Sequence, residues 1–383
     1  MGILKRIFIL VLFLFSFGEI IRISLGNGIV VKPIDIGVCF LVFMWFVSKL
    51  LKRQKFRQQY VFVPMMLFVL TGFFSLIISD LHLSINEFII SFLYLFRWVV
   101  YAGIFFVVYD FDKKFKINIS KLLLVTGSLV VGLGYLQYFF YSSLRNLYYL
   151  GWDEHMYRMF SVFLDPNFAG AFFVLFFLFL ASIFIKKRSV LIGLLLILTL
   201  GTIFLTFSRS ALIMLAISSS LLFILMNKKL WIAILLGLIL LVLSVSSRYF
   251  NIENINLFRI VSSEARLETA KKAIGIIKDH PVFGVGFNAY RYVKLGYGLK
   301  RDNVGTISHA DSGVDSSILF ILVTTGVVGF LFYFIMWIRI LKTTSVLAVA
   351  SIIGVFIDSL FVNSLFYPFI MMWIWILLGL NEE

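Results

Sequence analysis

Apolar stretches of roughly 20 residues recur along the whole of this chain, each long enough to cross a hydrocarbon core about 30 Å thick as a helix. That recurrence constrains the fold more than any single motif. Of the 383 residues, 61% are hydrophobic and only 14% are charged, well outside the range of soluble domains. The sequence therefore predicts an all-α polytopic membrane protein that forms a single integral membrane domain over 1–383, with no soluble domain interrupting the spans.

Hydropathy gives about twelve spans, at 7–25, 33–50, 60–79, 86–109, 122–142, 168–185, 190–207, 211–226, 230–246, 314–338, 344–362 and 365–380. The first, IFILVLFLFSFGEIIRISLG, follows Lys5 and Arg6 as a signal peptide would, but no small-x-small cleavage site follows it, so it reads as an uncleaved span. Basic clusters fall in every second gap: Lys5/Arg6, LKRQKFR at 51–57, DKKFK at 112–116, KKR at 186–188, NKK at 227–229 and RILK at 339–342. These gaps hold roughly eighteen Lys and Arg against about four in the opposite short gaps, and the positive-inside rule turns that bias into orientation. Both termini are expected in the cytoplasm. The net charge of +15 is spent on these clusters and forms no basic face for nucleic acid. The single cysteine, Cys39, lies in an apolar run and offers neither a disulfide nor a metal site.

One gap, 247–313, is much longer than the others, and the alternation puts it outside. Within it Leu267, Ala270, Ile274 and Ile277 make one apolar stripe with Arg266, Glu268, Lys271, Lys272 and Lys278 largely off it, which predicts a short amphipathic helix at the membrane surface. Arg266 falls in the first turn of that helix, where a cation opposes the helix dipole. HPVFGVG follows, with Pro281 ending the helix and Gly284 and Gly286 allowing close backbone approach.

The unusual polar residues collect on the same expected outer side. Arg209 sits in the tight TFSRSA turn at headgroup depth, where it either snorkels or meets a phosphate. FLDPNFAGAFF opens a span with Asp165 as a cap, Pro166 at the first helical position and Asn167 behind it. SHADSGVDSSILFILVTTGVVG at 308–329 leads into another span with His309, Asp311 and Asp315. Asp315 near the helix start is explained as a cap, but the three together are not. Histidine and aspartate are the side chains able to take a proton from a hydroxyl near neutral pH. Arg97 is the one basic residue well inside a span, and either pairs with a carboxylate or serves a site. Such a set suits a phosphate-bearing lipid substrate, neutralised by guanidinium groups, and a hydroxyl acceptor activated by one base.

In their order along the chain, FLDPNFAGAFF, TFSRSALI, ARLETAKKAIGIIKDHPVFGVGFNAYR and DSSILFILVTTGVVG resemble the O-antigen ligase and O-antigen polymerase (Wzy/WaaL) superfamily over about 160–335. The ligase signature of that family is a histidine and a small polar residue, nine residues, then two glycines three apart. Here Asp315, Ser316, Gly326 and Gly329 occupy those places, with aspartate for histidine. The resemblance implies a GT-C-like, metal-independent inverting glycosyltransferase with no cofactor. Its donor would be an undecaprenyl-pyrophosphate-linked oligosaccharide, its acceptor a glycan or lipid hydroxyl, and its place the outer face of the bacterial cytoplasmic membrane beside other polysaccharide-assembly proteins. Arg209 and Arg266 would then bind pyrophosphate and Asp315 or His309 would be the base; Asp165, Asn167, Asp311 and Arg97 are further candidates to contact substrate from their own chemistry and position, not from the resemblance. The aspartate tilts the expectation from ligase towards polymerase. A lipid-linked sugar flippase is the competing reading, and it calls for inverted repeats and broken helices with polar groups near the midplane.

Overall fold

A computed structural model of the protein describes residues 2–25, 29–54, 59–81, 83–249, 261–293 and 313–380. Fourteen helices appear among them: α1 (Gly2–Phe15), α2 (Pro33–Leu51), α3 (Gln59–Ile78), α4 (Ile85–Tyr109), α5 (Lys113–Phe140), α6 (Pro166–Lys187), α7 (Val190–Leu205), α8 (Arg209–Leu225), α9 (Lys229–Tyr249), α10 (Val261–Asp279), α11 (Tyr290–Val293), α12 (Ser317–Leu341), α13 (Val346–Asp358) and α14 (Pro368–Gly379). The described strands are a two-residue hairpin, β1 (Ile23–Ser24) and β2 (Val30–Val31). The protein is an all-α membrane protein. Six helices, in α2, α3, α4, α5, α6 and α12, are long and apolar enough to cross a membrane, and five shorter apolar helices accompany them.

Two helices form the interior. α6 is buried continuously from Ala169 to Ser182, and α14 is buried along its whole length; a helix apolar all round belongs inside a bundle. α7 and α8 pack on α6, α4 on α14, α13 on α8 and α12 on α3. The outer helices turn large apolar side chains away from the protein, among them Phe40 and Phe43 of α2, Leu191 and Ile197 of α7 and Leu230 and Ile234 of α9. Surface this apolar is stable only against lipid.

Most predicted spans coincide with helices, and the exceptions have local causes. α1 stops at Phe15, short of the predicted 25, because the chain turns and Glu19 N donates to Val162 O at 2.7 Å. α5 starts earlier than predicted because the Asp112 carboxylate caps it, accepting from Phe115 N at 2.9 Å.

The largest departure from a regular bundle is in α12. Gly326 adopts φ 63° and ψ −168°, breaking the helix in its middle. The HPVFGVG segment fills the break: Val327 N donates to Pro281 O at 2.9 Å, Val328 N to Val282 O at 3.3 Å and Val285 N to Val323 O at 2.9 Å. Backbone groups freed within a membrane helix must find partners inside the protein, and here a loop provides them. A side chain at Gly326 would overlap Val282, and a Cβ at Gly284, at φ +69°, would lie 2.5 Å from Val323 O. The two glycines are therefore required by close backbone approach, which accounts for Gly284 without a phosphate. Ser75 of α3 and Ser79 just after it brace the join, Ser79 Oγ donating to Val285 O at 2.6 Å.

Candidate active site

The first residues of α6 and α8 are locked together. Asp165 caps α6, its Oδ1 accepting from Asn167 N at 2.6 Å and Phe168 N at 3.2 Å, with Pro166 at the first helical position as expected. Gly170 lets α8 approach so closely that a Cβ there would stand 2.6 Å from Ala211 Cβ. Ser208, in the turn before α8, donates to Asn167 Oδ1 at 3.0 Å and lies 3.2 Å from the Ser210 hydroxyl. Asn167 thus holds the turn from which Arg209 projects.

Arg266 reaches the same end of the bundle by a route that the sequence pattern misjudged. α10 begins at Val261, so Arg266 is in its second turn and not its first. The packed face of α10 is centred on Ala273 and Ile276, while Leu267 and Ile274 are exposed. Arg266 lies two turns before Ala273 on that packed face, not off it. Its charge acts on Arg209, Asp315 and Asp358.

Asp315 was expected to cap its helix, but Ser316 does so, its Oγ accepting from Leu319 N at 3.5 Å. The Asp315 carboxyl, just outside the helix, has a raised pKa. Crowding by protein atoms is the main cause; Arg266 works against it, and the Asp165 and Asp153 carboxylates add to it. Arg209, Arg266, Asp165, Asn167 and Asp315 therefore come together. His309 and Asp311 lie outside the described residues. Arg97 does not join this group: its Nη2 pairs with Asp35 Oδ2 at 2.9 Å, in a separate charged group.

Several neighbours escaped the sequence reading. His155 Nε2 faces Asp165 Oδ2 at 3.7 Å and Asp153 Oδ2 at 3.9 Å. Burial would raise the Asp165 carboxyl, but His155 and the two capping N–H groups outweigh it and hold its pKa down at about 2. Asp358, at the end of α13, is fully buried and accepts from Ser364 Oγ at 2.5 Å, with Ser210 near enough to act on it. A lone carboxylate inside an apolar span was a visible signal for Asp358, and the DEH triplet at 153–155, holding one of only four histidines, was one for His155.

Residues 194–334 match the family model described as O-antigen ligase. Arg209, Arg266 and Asp315 all fall inside that match, which covers rather more than a third of the chain. No curated protein matches the chain.

Proposed function

We propose that this chain, whose residues 194–334 match the family model described as O-antigen ligase, belongs to the O-antigen ligase/polymerase superfamily and is a membrane glycosyltransferase extending a polysaccharide from undecaprenyl-pyrophosphate-linked oligosaccharides. One observation carries the reading. Arg209, Arg266 and Asp315 belong to three elements far apart in sequence, yet Arg266 acts electrostatically on both of the others. Two guanidinium groups held near one another repel, and a pyrophosphate placed between them relieves that cost.

In the reaction the acceptor hydroxyl oxygen attacks the anomeric carbon while the bond from that carbon to the pyrophosphate oxygen breaks. The electron pair leaves with the lipid pyrophosphate, whose growing charge Arg209 and Arg266 stabilise. The hydroxyl proton passes to Asp315, whose raised pKa makes it a stronger base than an ordinary carboxylate. Attack opposite the leaving group inverts the anomeric centre, and the positive charge comes from arginine rather than a metal. Asp165 and Asn167 hold the α6–α8 junction beside the donor. Asp311 and His309, outside the described residues, precede Asp315 by four and six positions in the sequence.

The same proposal includes about twelve membrane crossings in a GT-C-like arrangement, cytoplasmic termini and a site on the outer face, on the strength of the alternating basic clusters. The aspartate at the position of the ligase histidine favours polymerisation over ligation. The broken α12 does not favour a flippase, because its freed backbone groups are taken up by the 281–285 loop and line no path.

The test is an assay of purified protein with lipid-linked oligosaccharide, scoring chain growth against transfer to a second lipid. Arg209→Ala, Arg266→Ala and Asp315→Asn are each expected to lose about 100-fold or more in rate. Full activity of both arginine variants overturns the donor site. Activity in Asp315→Asn with loss in His309→Ala moves the base to His309.

A further inference from the structure

A second charged group lies at the same end of the bundle and has no part in the transfer step described above. Lys32, before α2, is buried and donates to Glu19 Oε1 at 2.5 Å, while Glu19 Oε2 holds Arg22 Nε at 3.1 Å. Asp35, in the first turn of α2, holds Arg97 at 2.9 Å and accepts from the Tyr101 hydroxyl at 2.8 Å. Both carboxylates of the group are thereby engaged.

Arg291 of α11 engages the Tyr94 side chain but has no salt bridge among the described residues. Its guanidinium lies 5.6 Å from the centre of the Tyr94 ring, which Arg97 also approaches at 5.2 Å. Its Nε and Nη2 are buried and find no hydrogen-bond partner among the described residues. Lys32, Arg97 and Arg291 all act on Tyr94, and Glu19 acts on Arg97, so the group is contiguous. Lys32, Arg97 and Arg291 outnumber Glu19 and Asp35, while Arg22 shares Glu19. Buried charge of one sign is costly without a counter-charge, and a surplus cation with unused donors is the signature of a site awaiting an anion.

The group also touches the catalytic cluster. Tyr367 stacks on Phe168 of α6 with ring centres 3.9 Å apart, and Glu19 and Asp165 both act on it.

We propose that Lys32, Arg97 and Arg291 form a second anion subsite that takes a phosphate ester, the phosphate of the lipid-borne acceptor. The acceptor assignment rests on the glycosyltransferase reading; the anion subsite does not. A polymerase of this kind joins two lipid-linked substrates, each carrying phosphate, and a second subsite beside the first would hold them side by side.

The test uses the full chain in phosphatidylcholine nanodiscs, titrated calorimetrically with inorganic pyrophosphate. Two classes of site are expected. Arg209→Ala removes one, and Arg291→Gln weakens the other about tenfold, close to 1.4 kcal/mol, while Arg291→Lys recovers part of the loss. Arg97→Lys, which keeps a charge beside Asp35, is the second variant and is expected to weaken the same site without lowering Tm. A single class of site in the wild type, or unchanged binding in both Arg291→Gln and Arg97→Lys, overturns the proposal. If Arg291→Gln loses its site while Arg209→Ala retains both, the subsite stands and the donor assignment fails. Repeating the titration in phosphatidylglycerol nanodiscs separates the sources: competition confined to the Arg291-dependent site supports a lipid-headgroup phosphate, and its absence supports a phosphate carried by the substrate.

Discussion

Asp315 stands one residue before the cap of α12, so the helix start makes no demand on it that Ser316 does not meet. Its pKa is raised mainly by desolvation, and a base works in its ionised form. The rate of transfer is therefore expected to climb with pH through a value above the ordinary 3.8 and then level off, a limb that Asp315→Asn removes; an initial-rate pH profile measures it. The stability consequence has the opposite sense to that of most carboxylates. With the folded pKa above the unfolded one, stability from this group is present below pH 3.8 and lost as pH rises through the raised value, so Asp315→Asn keeps or gains Tm at pH 7. Asp165 behaves in the reverse way. Its pKa of about 2 gives stability above 3.8 that disappears as pH falls towards 2. Asp165→Ala is expected to cost about 1 kcal/mol for the cap alone, read as a drop in Tm at neutral pH that vanishes in acid. Asp165 was legible from the sequence because capping is local. Asp358 and His155 stood out in the sequence only as a lone in-span carboxylate and a rare histidine; their places beside Arg266 and Asp165 depend on neighbours that the chain folds back to meet, His155 through a residue at positive φ.

Among the elements, α12 and α10 carry what the sequence concealed. Hydropathy sees one unbroken apolar run at 314–338, because a break completed by another segment's backbone leaves the composition unchanged. The glycine spacing was visible; its cause, a re-entrant loop pressed against Gly326, was not. Gly326→Ala is expected to destabilise the protein by about 1–3 kcal/mol for the strained backbone alone, with further loss from overlap with Val282 and reduced transfer activity. Thermal unfolding in detergent and the chain-growth assay read the two effects. In α10 the most apolar stripe and the packed face differ: Leu267 and Ile274 are exposed while Ala273 and Ile276 are buried, which puts Arg266 on the packed face.

At the scale of the whole molecule, the alternation of basic clusters was the clearest thing the sequence offered, since it depends on spacing along the chain and not on contacts. Its consequence is testable on a Cys39→Ser background. Ser189→Cys and Asn227→Cys are expected to react with an impermeant thiol reagent only from the cytoplasmic side, and Ser143→Cys only from the outside; one reversal of that pattern overturns the orientation. The wholly buried α6 and α14 were harder to foresee, because a lipid-facing helix and a protein-facing one read alike in hydropathy. The join between the 281–285 loop and α12 has a further consequence. It pins the end of α10 to the middle of α12, so the helix that carries Arg266 and the helix that Asp315 precedes are clamped into one frame by backbone hydrogen bonds rather than by the side chains that do the chemistry.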